Sequence, residues 1–172
     1  MNGIVVYKSN TGFTKRYADW IAEELGINAV PIRKVSKSEL RSKDVIIFGG
    51  CLLAGKISGL SKIKKLAGDS KKLIVFTTGL TPMVAKKFVE KVKEDNITKE
   101  DEERISFYYF AGGVDYDKLK GIYRFILKRF YKSLKKDIEK KPENEMMMKV
   151  LEESADYTNK DYIKPLIDKV KA

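Results

Sequence analysis

The chain has 172 residues and a net charge of +11, with 43% hydrophobic and 34% charged residues, the profile of one folded domain rather than a disordered chain. It has no histidine and a single cysteine, Cys51, which excludes a histidine-dependent triad and an internal disulfide and argues against zinc or an iron–sulfur cluster. The excess positive charge favours acidic partners without choosing among nucleic acid, anionic lipid and an anionic small molecule.

In chain order, Gly3–Lys8 (GIVVYK) reads as a buried strand, being short, β-branched and bounded by turn residues. No basic and apolar leader precedes it, and no run reaches the roughly 18 apolar residues of a membrane span, so a cytoplasmic protein is expected. Residues 14–25 repeat apolar side chains at Tyr17, Ile21 and Leu25, with Ala18 and Trp20 on the same side, and Gly26 closes this helix. Asn28–Lys34 is a weaker strand whose Pro31 suits a sheet edge. Asp44–Gly50 is again strand-like, followed by a short amphipathic helix over Leu60–Gly68 and a strand at Lys72–Thr78. Thr81 is expected to cap the next helix, with Pro82 at its first position, and Arg104–Gly113 is the last strand.

This alternation predicts parallel strands joined by crossover helices, an α/β three-layer sandwich with a five-stranded parallel sheet. The strands are apolar throughout rather than alternating, as a sheet covered on both faces requires. No repeat or low-complexity linker interrupts the pattern, so residues 1–172 are expected to form a single domain.

Residues 115–141 carry ten Lys and Arg against four Asp and Glu. At helical spacing Leu119, Ile122, Tyr123, Ile126, Leu127, Phe130 and Leu134 share a face, and Phe125 lies among the cations. Two readings stand: a last helix covering the sheet, or an extended segment that touches an anionic membrane, a quinone-bearing membrane or an anionic substrate. Met146–Met148 suit a gap beneath a helix or an adaptable contact. Thr158 and Asp161 have capping-box spacing before a C-terminal helix near 159–171, where Pro165 implies a kink or a shifted start.

The chemistry-bearing residues collect after the strands. Ser9-Asn10-Thr11-Gly12-Phe13-Thr14 places hydroxyls and backbone N–H groups before a helix N-terminus, where the dipole favours an anion. It lacks the GK[ST] ending of a nucleoside-triphosphate loop and the glycine spacing of a dinucleotide fingerprint, so a bound monophosphate suits it best, against the plainer reading of a capped turn. Cys51, in the next loop, reads as a buried filler or an oxidant-sensitive thiol.

Ser9-x-Thr11-Gly12-x-Thr14 after an opening strand resembles the phosphate loop of flavodoxins, and the likeness extends through all five strands. It implies the order 2-1-3-4-5, a standing illustration of the rule that ligands bind at the switch point of such sheets, with FMN as cofactor. By the same resemblance Ser9 to Thr14 hold the FMN phosphate. Leu52, Leu53 and Ala54 border one face of the ring, Thr78, Gly79 and Leu80 its edge, and Gly112 and Gly113 complete the cofactor site. Neither ring-side loop offers an aromatic, and the chain is basic where electron-shuttle flavodoxins are acidic. Its basic aromatic segment after AGG is similar to that of the flavodoxin-like menaquinone-dependent protoporphyrinogen oxidases. The implied function is an FMN-dependent oxidoreductase with a quinone or small-molecule partner; the alternative is a flavodoxin-type electron carrier. No side chain stands out as catalytic, no metal site is expected, and nucleic acid is disfavoured because no binding motif is present.

Overall fold

Apolar strands β1 (Gly3–Lys8), β2 (Asn28–Pro31), β3 (Val45–Leu53), β5 (Leu73–Gly79) and β6 (Ile105–Ala111) run parallel in the order β2-β1-β3-β5-β6. A short β4 (Lys56–Ile57) turns back antiparallel on β3. The computed structural model describes residues 1–68, 72–81, 83–115, 118–119, 121–136, 148 and 154–172. Counting only the parallel strands, this is the expected order.

Register turns the apolar strands into rows. Ile4 pairs with Ile46, Ile46 with Leu73 and Leu73 with Ile105, so one hydrophobic row crosses four strands. Side chains alternate across a strand, so neighbouring residues fill opposite layers. On one face Val6, Phe48 and Val75 join that row beneath Leu40 of α2 (Lys37–Arg41) and Leu60 and Ile63 of α3 (Leu60–Ala67). On the other face Val5, Ile47, Phe76 and Phe110 meet Tyr17, Ala18 and Ile21 of α1 (Phe13–Leu25). The same cluster takes in Ile163, Leu166 and Ile167, from a 3-10 turn at Lys160–Ile163 and the final helix α6 (Lys164–Lys171).

Several boundaries differ from the sequence reading. β2 stops at Pro31 because Ile32–Lys34 form a 3-10 turn that buries Ile32; the strand does lie at the sheet edge. α2 was not anticipated, although Ser36 and Glu39 have capping-box spacing and Ser36 Oγ accepts the Glu39 N–H. Thr81 is not a cap: its carbonyl accepts the Tyr109 hydroxyl at 2.9 Å, and α4 (Lys86–Asn96) begins after Ala85. Pro82 lies outside the described residues, as do Tyr116, Met146 and Met147. Asn159, not Thr158, caps the last turn, its Oδ1 accepting the Asp161 N–H, and Pro165 falls in the first turn of α6, where a missing N–H costs nothing.

Of the two readings of the basic segment, the structure describes the helical one in part. Its helix, α5 (Ile122–Lys136), contributes none of its described residues to either buried cluster, Ile126, Leu127, Tyr131 and Leu134 being half-buried, whereas α6 packs on the second cluster through Leu166 and Ile167. Phe125 is exposed as expected, but Phe130 is 45% exposed despite its place on the apolar face. Met148 is buried.

The amino edge of the sheet is held by charge. Asp101 is 5% exposed. It accepts from Arg104 Nε at 2.9 Å and Thr98 Oγ1 at 3.1 Å, and it pairs with Lys64 of α3. Burial pushes its carboxyl upward, but the hydrogen bonds from Lys64, Arg104 and Thr98 outweigh that and hold it below the ordinary aspartate value. A lowered native pKa gives stability that is complete above the unfolded-state value of 3.8 and is lost as pH falls through the native one. Asp101→Asn should therefore cost about 3 kcal/mol at neutral pH. Denaturant unfolding at pH 7 and pH 3 should show the gap between the two proteins closing in acid; a gap of the same size at both would contradict this.

Candidate functional site

All parallel strands deliver their carboxyl ends to one edge, where the loops meet. After β1, Ser9 Oγ accepts the Gly12 N–H at 3.1 Å, and the turn closes on Gly12 at φ 102. Only glycine takes that left-handed position without strain, and nothing lies within 4 Å of where a Cβ would sit. The first backbone bond of α1 is from Arg16 N–H to the Gly12 carbonyl at 2.9 Å. Phe13, Thr14 and Lys15 thus head the helix with N–H groups that have no intrahelical acceptor. Residues 8–15 contain Lys8 and Lys15 and no carboxylate, and Lys15 pairs with Asp19 at 2.6 Å.

Hydrogen bonds tie this turn to its neighbours. Asn10 Nδ2 donates to Cys51 Sγ at 3.1 Å across the crevice between β1 and β3. Thr14 and Thr78, 1% and 5% exposed, share a hydroxyl–hydroxyl bond of 2.7 Å that joins α1 to β5. Thr11 remains half-buried. Burial pushes the Cys51 thiol up, against the hydrogen bond of Ser58 and the charge of Lys8, which favours the protonated thiol over a reactive thiolate.

The second loop is not a loop. β3 runs past Gly50 to Leu53 and returns through Ala54 and Gly55 to β4, with Leu53 opposite Lys56 and Leu52 opposite Ile57. Ala54 at φ 49 and Gly55 at φ 78 meet the positive-φ requirement of a tight two-residue hairpin. Buried Ile57 and the packing of Leu52 on the first core cluster account for this fold-back. Leu53, half-buried, and Ala54, exposed, remain at the open edge.

At the far side, Gly112 N–H bonds the Gly79 carbonyl at 2.7 Å, joining the ends of β5 and β6. A Cβ at Gly79 would lie 2.6 Å from the Tyr109 hydroxyl, and one at Gly113 would lie 2.2 Å from the Ala155 carbonyl and 2.7 Å from the Phe13 ring. These two glycines make room for protein. Phe13 is accordingly a packed side chain, with the Arg16 guanidinium 5.6 Å from its ring centre. Leu80 is half-buried.

Sequence reading missed the strap that closes this side. β7 (Gly113–Val114) pairs antiparallel with β8 (Ala155–Asp156). Arg16 Nη1 binds Asp156 at 2.5 Å and Thr158 at 2.7 Å. Tyr17 donates its hydroxyl to the Ala111 carbonyl at 2.7 Å and receives the Asn159 N–H at 3.2 Å. Burial pushes this phenol up to about 12. No local pattern announces such contacts, because their partners lie far along the chain. A cavity of 240 Å³ beside the turn is lined by Thr11, Gly12, Phe13, Arg16, Lys118 and Asp156 among others. A hollow of 480 Å³ at the other end of α1 is a surface groove of paired charges, Lys160 with Glu24 and Lys164 with Asp161, and has no link to the strand ends.

The sequence profile of the flavodoxin domain matches residues 4–141. This chain belongs to the flavodoxin-domain family. Among solved structures it is similar to a flavodoxin from the domain Archaea, at 18% identity over 68% of this chain and 88% of that one, with a TM-score of 0.42. The two-electron reduced flavodoxin of Megasphaera elsdenii matches at 17% identity over 63% and 85%, with a TM-score of 0.44. Oxidised Flavodoxin 1 of Bacillus cereus matches at 17% identity over 72% and 93%, also with a TM-score of 0.44. No curated protein matches significantly. Membership of the family rests on the profile, and the residue geometry rests on this chain.

Gly113→Ala tests the strap. The collision with a backbone carbonyl cannot be relieved by a side-chain rotation, so denaturant unfolding should show a loss of about 1–3 kcal/mol. An unchanged midpoint would mean that β8 does not lie against Gly113.

Proposed function

We propose that this flavodoxin-family chain binds FMN with the phosphate at the Ser9–Thr14 turn and works as an FMN-dependent oxidoreductase. The observation that carries the reading is the helix N-terminus opening on Gly12, with no acidic residue in its first turn, N–H groups that lack an intrahelical acceptor and an uncrowded glycine. The fit is chemical as well as spatial: hydroxyl and N–H donors suit a phosphate that stays bound. Bound FMN would supply two-electron redox chemistry, which no side chain of the chain provides. Thr11 would donate to the phosphate, and Thr14, held by Thr78, would fix the backbone that surrounds it. Leu53, Ala54, Gly79 and Leu80 would border the ring, with Gly112 and Gly113 holding the neighbouring strand ends. The whole chain would act as one domain.

The partner in this reading is a redox partner, either a quinone or a small reduced substrate. α5 supports peripheral contact with an anionic membrane: it carries six cations and no carboxylate, with Phe125 60% exposed. No described helix is long and apolar enough to cross a membrane. Protoporphyrinogen, whose propionates would meet these cations, is the most specific version of the reading, and no comparison singles out that branch. The work would be done in the cytoplasm, at the membrane face.

Titration of cofactor-free protein with FMN and with riboflavin tests the phosphate assignment. Thr11→Ala should weaken FMN by about 1.5–3 kcal/mol, the worth of a hydrogen bond to a charged group, and leave riboflavin unchanged. Equal loss for both ligands, or none, would place the phosphate elsewhere. Turnover with a quinone acceptor separates the enzyme from a carrier, which would only relay electrons from a reductase. Vesicles containing anionic lipid should sediment the protein in a salt-sensitive way, and zwitterionic vesicles should not; equal binding to both would remove the role given to α5.

A further inference from the structure

We infer that Asn96, at the last position of α4, is a positioning residue that locks the Leu53–Lys56 hairpin and so sets the ring-side wall of the flavin site; this rests on the FMN reading above. Asn96 Nδ2 donates to the Gly55 carbonyl and to the Val92 carbonyl, each at 2.8 Å, and its Oδ1 accepts the Ile57 N–H at 2.8 Å. The amide thereby uses both donor hydrogens and its oxygen, and a flipped amide would face donor to donor and acceptor to acceptor. Beside it Lys56 Nζ donates to the Asp95 carbonyl at 2.7 Å.

The hairpin needs this help. It projects beyond the sheet, and an isolated two-stranded turn is marginal in water. Ala54 sits at φ 49, a conformation disfavoured for a residue with a Cβ. On the β4 side only Ile57 is buried, while Ala54, Gly55 and Lys56 are exposed. The bonds that restrain the turn from outside come from a residue about 40 positions away, on a helix that begins just after the Gly79–Leu80 side of the same site. Asn96 thus restrains the hairpin side of the proposed ring site. Alanine can form none of its side-chain bonds, and aspartate retains only the acceptor for Ile57.

Amide exchange and flavin titration on the full chain, with Asn96→Ala and Asn96→Asp, test this. In the cofactor-free protein the Ile57 amide should exchange about tenfold faster in Asn96→Ala and close to the parent rate in Asn96→Asp. FMN and riboflavin should both bind about tenfold more weakly to Asn96→Ala, because the wall faces the ring and not the phosphate, and the reduction potential of the bound flavin should shift. If Asn96→Ala does not fold, Asn96→Asp carries the test: loss of the donor bonds to Gly55 and Val92 should weaken both ligands. Unchanged Ile57 exchange in Asn96→Ala, or unchanged binding of both flavins in Asn96→Asp, would overturn the clamp. Faster exchange with unchanged affinity and potential would reduce Asn96 to a purely structural residue while leaving the FMN reading intact. A parent protein that binds neither flavin would overturn that reading and the positioning role with it.

Discussion

A parallel sheet whose strands are apolar on both faces must be covered on both faces, and the rest of the molecule follows from that constraint. The row Ile4–Ile46–Leu73–Ile105 lies on one side, and Val5, Ile47 and Phe76 lie on the other. Helices have to return over each layer to join strands that all point the same way. Every chain crossing therefore begins at the carboxyl edge. Such an edge is where ligands bind in sheets of this kind.

The two edges solve different problems. At the amino edge a buried carboxylate, Asp101, is satisfied by Arg104, Thr98 and Lys64, so polar groups there are consumed in holding strands and helices together. At the carboxyl edge the hydrogen bonds run between loops: Asn10 to Cys51, Thr14 to Thr78, Gly112 to Gly79, Asn96 to the β3–β4 hairpin. Such cross-links leave the helix N-terminus at Gly12 open while fixing the backbone around it. An anion bound at a turn held this way, as proposed, would cost little entropy.

Charge is distributed with equal asymmetry. Ion pairs tie separate elements together elsewhere, as in Arg16 with Asp156 or Lys160 with Glu24. α5 carries cations alone, and its described residues join neither buried cluster. Part of the net charge of +11 therefore lies on this one helix.

The sequence by itself determined the layer architecture, because strand runs with no polar alternation and helices with one apolar stripe admit few arrangements. It also determined the place of the anion cradle, since Gly12, its flanking hydroxyls and the helix that follows are local neighbours. Tertiary structure alone decided what those residues do for each other. Thr78 pairs with Thr14 across 64 positions, and Asn96 reaches Gly55 across 41. Likewise Gly113 is glycine because Phe13 and Ala155 fill its space, and α6 packs on the layer that holds Val5 and Phe76. Local propensity encodes backbone conformation within a turn or two of helix. A contact between distant segments depends on how whole layers stack, and it becomes definite only when burial has chosen the stack.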